Sequence, residues 1–454
     1  MGAAADSLTA HVDRGGGYDI PHAQIRDIQI AAIAERFAER RQRIRLLAHR
    51  ADEAGITDVR ELAEAVPLLF PHTAYKSYPE SFLSEQRWDR LGKWLGTVSP
   101  YPIAPHAELT KHGPIAGIDD WIERLEAAGH YVSCSSGTTG KSAMLIGSAA
   151  DMDFAGREAV LACAWGANVA PAQDRLVFGL APIAQVPRNH AVGSALKEAF
   201  SLPGRERFSY PVPPITIGSI TGMVAMRRKI ADATASPAEI AEYEAVSAAR
   251  AAAMDAAVGI SARAVIEARH EKLYVSGMWA ALYQVAAAVR ALGYSGADFH
   301  PENTCYIGGG LKGAQLPPDY RSFVFETFNI APGRVYQMYG MQEIISSMPR
   351  CQKGGRYHLP PWLVPLVLNE AGDALAGPHR GEIEGRAAFF DLALDGRWGG
   401  VISGDKVAIS FDPCACGTAG PSVRDDIARY SELTAGDDKI ACSGTVDAYV
   451  RGVV

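Results

Sequence analysis

Residues 133–142 read Ser133-Cys134-Ser135-Ser136-Gly137-Thr138-Thr139-Gly140-Lys141-Ser142, directly after the apolar run that ends at Tyr131-Val132. Glycines let backbone N–H groups come close to an anion, the hydroxyls add donors, and Lys141 adds a positive charge. The stretch therefore reads as a phosphate-holding loop. A Walker A loop needs a glycine six residues before its lysine, and Ser135 stands there instead. A simple Walker NTPase is thus disfavoured, and a plain turn through Gly137 and Gly140 is the competing reading.

Two later segments strengthen the phosphate reading. Val335-Tyr336-Gln337-Met338-Tyr339-Gly340-Met341-Gln342-Glu343 is a strand-like run, then a glycine turn, then a carboxylate. Mg²⁺ is commonly held by one or two carboxylates together with substrate phosphates, so Glu343 suits that ion. Ile402-Ser403-Gly404-Asp405 places a second carboxylate some sixty residues on; an ionised carboxylate can accept from two hydroxyls at once. Between them, Cys305-Tyr306-Ile307-Gly308-Gly309-Gly310-Leu311-Lys312-Gly313 is another glycine loop after a strand, where a flat base can approach the backbone.

Together these segments resemble the acyl-adenylate-forming (AMP-binding) superfamily over roughly residues 130–445. Over residues 305–365 the chain is similar to the acyl-protein synthetase of bacterial luminescence systems, with likeness also to phenylacetate-CoA ligases. The resemblance implies an α/β fold: the large N-terminal domain of an adenylate-forming enzyme, with a helical N-terminal region and a smaller β-rich subdomain. It implies that Ser135, Ser136, Gly137, Thr138, Thr139, Gly140 and Lys141 hold ATP phosphates. It further implies that Gly308, Gly309, Gly310, Tyr339 and Gly340 border adenine, that Glu343 holds Mg²⁺, and that Asp405 binds ribose. Lys141, Thr139 and Glu343 are the expected catalytic residues. The expected reaction is adenylation of a carboxylic acid, with pyrophosphate released, then acyl transfer to CoA or to a protein thiol. An amide-forming ligase, and a non-catalytic ATP- or zinc-holding partner of an acyl reductase, are the alternatives.

The family's hinge usually reads Gly-Arg-x-Asp-Asp, whereas this chain has Gly436-Asp437-Asp438-Lys439. Arg424 or Arg429 is the expected substitute for the missing arginine, unless the contact is lost. The sequence ends at Val454, where the family's small C-terminal domain is expected to begin; that domain is read as missing, by nature or by truncation.

Cys351, His358, Cys414 and Cys416 supply four soft or borderline ligands, the number structural Zn²⁺ takes, although the C-x₆-H and C-x-C spacings differ from those of zinc fingers. Some phenylacetate-CoA ligase relatives carry a Cys/His cluster at matching places. Ordinary thiols and a surface histidine are the alternative. Cys134 and Cys442 are candidate acyl-carrying nucleophiles, against the commoner role of cysteine as a small buried residue. The acid is expected between residues 175–195 and the Gly308 loop, against Phe178, His190 and Tyr306, with Ile183 nearby.

The chain has 454 residues, 48% of them hydrophobic, 21% charged, with a net charge of −7 and seven cysteines. That length exceeds a single core, so subdomains are expected. No apolar run reaches membrane-spanning length, and no signal-peptide pattern opens the chain. Dispersed Lys and Arg argue against nucleic acid as a partner. An odd number of scattered cysteines fits reduced thiols or metal ligands in a cytoplasmic protein. A small carboxylic acid is the expected ligand, with a carrier protein or reductase as a possible partner. The expected layout is a disordered tail (1–20), a helical region (21–130), an α/β ATP- and acyl-binding core (131–350), a β-rich subdomain with the metal cluster (351–435) and a hinge remnant (436–454).

Overall fold

The computed structural model describes residues 2–134, 141–311, 314–433 and 440. They divide into two units, the first comprising Met1–Glu158, Val186–Arg188 and Gly340–Val454, the second Ala159–Gln185 and Asn189–Tyr339.

The first unit opens with helices. His22–Arg40 buries Ile25, Gln29, Ala32, Ile33, Arg36, Phe37 and Arg40, one face at the helical spacing. Arg45–Ala54 stops at Gly55, whose φ of 66° is the left-handed value a helix end favours. The expected disordered tail is instead ordered: Ala3–Thr9 is helical and buries Ala5 and Leu8. Its backbone N–H groups at Ala4 and Ala5 donate to the Glu35 carboxylate. The small, glycine-rich composition hid this anchoring because the partner lies 30 residues away.

Tyr131–Cys134 and Met144–Gly147 pair antiparallel, with Cys134 opposite Met144. The glycine-rich stretch therefore spans the two arms of a hairpin, unlike a Walker loop, which feeds a helix. Residues 135–140, which carry the expected Ser135, Ser136, Gly137, Thr138, Thr139 and Gly140, lie outside the described residues.

The same unit holds a seven-stranded sheet. Its path runs Leu363–Leu368, Glu382–Asp391, Gly400–Ser410, Ser422–Val423, Tyr357–His358, with Phe70–Pro71 and Ala428–Arg429 also paired to Gly400–Ser410. The N-terminal region thus contributes a strand to the β-rich part, Phe70 pairing parallel with Val401. Trp94, Trp121, Trp362 and Trp398 are fully buried here, and each large side chain contributes roughly 2–3 kcal/mol of burial.

The second unit is built on a parallel sheet in chain order: Leu176–Gly179, Leu273–Gly277, Thr304–Ile307 and Val335–Tyr339. Helices Pro237–Glu267, Trp279–Ala291 and Tyr320–Thr327 belong to it. Pro237–Glu267 starts on a capping box between Ser236 and Glu239, which satisfies two orphan N–H donors. Side chains alternate along each strand. Phe178, Cys305 and Ile307 enter one core, while Val177, Tyr274, Tyr306 and Tyr336 face another. Burial on both faces is what a parallel sheet requires. Among the described residues no helix is long and apolar enough to cross a membrane.

Candidate active site

The segment after Tyr339 carries Glu343, and buried or half-buried ionisable side chains fix its backbone. Arg188 donates to the carbonyls of Met341, Ile344 and Ile345. Asp391 accepts from the N–H groups of Ile345 and Ser346 at 2.8 and 2.9 Å. Glu158 accepts from the N–H and hydroxyl of Ser347 at 3.0 and 2.7 Å. Arg397 donates to the Glu343 carbonyl and to that of Ile146, on the second hairpin arm. Asp151 in turn accepts from the N–H groups of Asp395 and Gly396, at the base of Arg397. Hydrogen bonds to charged groups are roughly twice as strong as neutral ones, so this non-repetitive segment is held as firmly as a regular element.

Burial pushes the Glu343 carboxyl above the usual range, with Asp405 adding repulsion while Lys76 and Arg397 pull the other way. Glu343 and Asp405 therefore lie near enough to feel each other's charge. Among the described residues no cation lies within ion-pair distance of Glu343, since Lys76 and Arg397 act on it through space. Glu343 is half-buried, and a carboxylate drawn out of water is normally paired or metal-bound, so it fits a hard divalent cation. Asp405 sits in Gly400–Ser410 opposite Arg429, whose Nε is 3.6 Å from Oδ1. Arg424 is engaged elsewhere, by Glu382, Glu384 and Asp426. Of the two arginines weighed from sequence, Arg429 is the one beside Asp405.

Lys141 lies over the Tyr78 ring, its Nζ 4.3 Å from the centroid, and donates to the Tyr78 carbonyl. The Tyr78 hydroxyl donates to the Ser142 carbonyl at 2.8 Å, so Tyr78 shapes the exit of the hairpin loop. Cys134 is buried and its thiol is pushed far above the ordinary range, first by burial, which removes the thiolate a nucleophile needs. Cys442 lies outside the described residues.

In the second unit the glycine loop and Tyr339 stand at the carboxyl ends of neighbouring strands, the usual ligand edge of a parallel sheet. Gly308 donates to the Gly277 carbonyl at 2.9 Å, and Gly309 has a φ of 123°, open to glycine alone. Lys312 and Gly313 lie outside the described residues. The expected acid-binding trio is not gathered. Phe178 stacks on Phe208 in one core, whereas Tyr306 packs against Tyr336 on the opposite face. His190 is exposed on helix Pro187–Phe200. Strand alternation separates 178 from 306, because adjacent parallel strands pair Phe178 with Val275 and Val275 with Cys305.

The metal-ligand cluster forms as its residue types suggest. The ligand atoms of Cys351, His358, Cys414 and Cys416 all lie within 4.8 Å of one another. Cys351 Sγ is 3.8 Å from Cys414 Sγ, and Cys416 Sγ is 3.4 Å from His358 Nε2. Tetrahedral zinc with Zn–S near 2.3 Å and Zn–N near 2.0–2.1 Å spaces its ligands about 3.8 Å (S to S) and about 3.6 Å (S to N). A β-carbon on Gly354 would come within 2.3 Å of Cys414 Sγ, so only glycine admits the sulfur there. Burial, then Arg356, lowers His358 to about 4, leaving a neutral imidazole able to donate a lone pair.

Sequence reasoning missed Arg188, Glu158, Asp391, Arg397 and Asp151. Arg188 adjoins the singled-out His190, and a charged side chain beside Pro187 was the available signal.

The fold is that of adenylate-forming ligases. A 2-hydroxyisobutyryl-CoA ligase in the postadenylation state, in complex with R3-HIB-AMP, aligns with a TM-score of 0.51 at 12% identity, covering 93% of this chain and 74% of that one. A structure of that ligase with 2-HIB-AMP and CoA in the thioesterification state gives a TM-score of 0.53 at 13% identity, over 92% and 70%. No protein-family model and no curated protein sequence matches the chain.

Proposed function

We propose that the protein activates a carboxylic acid with MgATP, forming an acyl-adenylate and pyrophosphate, and then transfers the acyl group to a thiol of CoA or of a carrier protein or reductase partner. The observation that carries this reading is Glu343, a half-buried carboxylate with Asp405 near it and, among the described residues, no cation at ion-pair distance, within a fold shared with ligases solved with acyl-AMP and CoA.

A substrate carboxylate oxygen attacks the α-phosphorus of ATP. The bond from that phosphorus to the bridging oxygen breaks, and pyrophosphate leaves with the electron pair. The carboxylate is itself the nucleophile, so this half needs no general base. A thiolate then adds to the acyl carbon and AMP departs. Lys141, with the hydroxyls and N–H groups of residues 135–140, holds the β- and γ-phosphates. Asp405 accepts from the ribose hydroxyls beside Arg429, and Gly308, Gly309, Gly310 and Tyr339 border adenine. Arg188, Arg397, Asp391 and Glu158 keep Glu343 in place, so little reorganisation is required during reaction. Mg²⁺ held at Glu343 would neutralise phosphate charge. Zn²⁺ at Cys351, His358, Cys414 and Cys416 is structural in this reading, stapling a loop-rich region, and the protein works in the cytoplasm.

Glu343→Gln keeps the shape and removes the charge. It should lower acid-dependent AMP formation by about 100-fold or more, in line with loss of one electrostatic stabiliser. Wild-type turnover by that variant would exclude the proposal.

A further inference from the structure

Arg207 is a half-buried cation in the second unit, and among the described residues no carboxylate pairs with it. Its Nε is buried without a hydrogen-bond partner. The backbone around it explains its direction. Phe208 bonds alongside the strand Leu176–Gly179, donating to Val177 and accepting from Gly179, and its ring stacks on Phe178 at 5.3 Å. The preceding side chain therefore crosses to the other face, where Tyr274 and Tyr306 act on the guanidinium.

Two glycines make room for it. A β-carbon on Gly179 would lie 2.8 Å from Nη2 and 3.3 Å from Nε, and one on Gly193 would lie 3.1 Å from Nη1. Gly179 ends its strand, so the guanidinium lies at the carboxyl edge of the sheet, where ligands bind. Arginine cannot shed its proton, and a desolvated, uncompensated cation is costly. An anion brought by the ligand offsets that cost, and the planar fork matches a carboxylate in bidentate fashion.

We infer that Arg207 receives a second, non-reacting carboxylate of the acid substrate, so that the protein activates dicarboxylic acids. This rests on the adenylation reading. The reacting carboxylate becomes part of a mixed anhydride on activation and loses its charge, so a residue gripping it would lose its partner at the chemical step. A distal carboxylate keeps its charge throughout.

The test is calorimetry on the full chain without nucleotide, using succinate through suberate, the monocarboxylates butanoate through octanoate, and inorganic phosphate. ATP–pyrophosphate exchange with the same acids runs in parallel. One dicarboxylate should bind about 100-fold tighter than its monocarboxylate twin. In Arg207→Met that ratio should collapse to near one, with Arg207→Lys recovering part of it. The melting temperature of unliganded Arg207→Met should not fall, as expected when an unpaired, half-buried charge is removed. Equal binding of mono- and dicarboxylates, no dicarboxylate binding, or Arg207-dependent binding of phosphate alone overturns the inference. Arg207-dependent dicarboxylate binding without any exchange supports the site and refutes the adenylation reading.

Discussion

Arg397 Nη2 lies 3.2 Å from the carbonyl oxygen of Glu343, and its Nη1 lies 2.6 Å from that of Ile146. One buried guanidinium thus joins the backbone of the carboxylate segment to the hairpin arm that follows the glycine-rich stretch. Arg397→Met leaves two carbonyls without a partner, each costing about 1–3 kcal/mol. We expect a loss of roughly 2–4 kcal/mol in urea unfolding, and a fall in exchange rate of at least tenfold. Arg397→Lys can satisfy one carbonyl and should recover part of each. An unchanged unfolding midpoint in Arg397→Met would refute this coupling.

The raised Glu343 carboxyl gives the reaction an acid limb. Mg²⁺ requires the ionised form, so kcat/KM for MgATP should fall as pH drops, starting above the ordinary carboxylate range. Raising free Mg²⁺ competes with the proton and should move that limb to lower pH. A limb indifferent to Mg²⁺ would separate Glu343 from the metal.

Burial raises Glu158 to about 7, against opposing hydrogen bonds from Ser347. Between the unfolded value of about 4.5 and that figure, the folded chain holds a proton that the unfolded chain has lost. The stability linked to this group is therefore complete below the unfolded value and lost as pH rises through about 7, on the order of 3 kcal/mol in all. Glu158→Gln can still accept from Ser347 without ionising. It should flatten the pH dependence of the unfolding free energy and stabilise the protein at pH 8; equal slopes for the two proteins would count against it.

Purified protein should carry about one zinc per chain by elemental analysis. Cys414→Ser should lose most of it and lower the melting temperature, because metal binding and folding are coupled. Protein free of transition metal, with a melting temperature unmoved by added Zn²⁺, would reduce the four residues to ordinary side chains.

Much of the second unit was legible in the sequence. The strand-like run read from Val335 forms as Val335–Tyr339, and the glycine loop read at Gly308–Gly310 follows the strand Thr304–Ile307. Short apolar runs and breakers carry that signal locally. The metal cluster was legible from residue types, although its closure depends on Gly354, which no spacing rule marks. The ordered N-terminus and the charges around Glu343 were not legible. Their partners sit far away, as with Glu158 and Ser347, 189 residues apart, and no local pattern encodes such a pair. Phe178 and Tyr306 illustrate a different failure: both sit on strands of one parallel sheet, but strand alternation, fixed by register, sends them to opposite faces.

Adenylation is tested most directly by ATP–pyrophosphate exchange with Mg²⁺, across fatty, aryl and dicarboxylic acids, with no thiol added. Exchange should depend on one class of acid and be lost in Glu343→Gln. ATP binding by the folded protein, with no exchange for any acid, would contradict it.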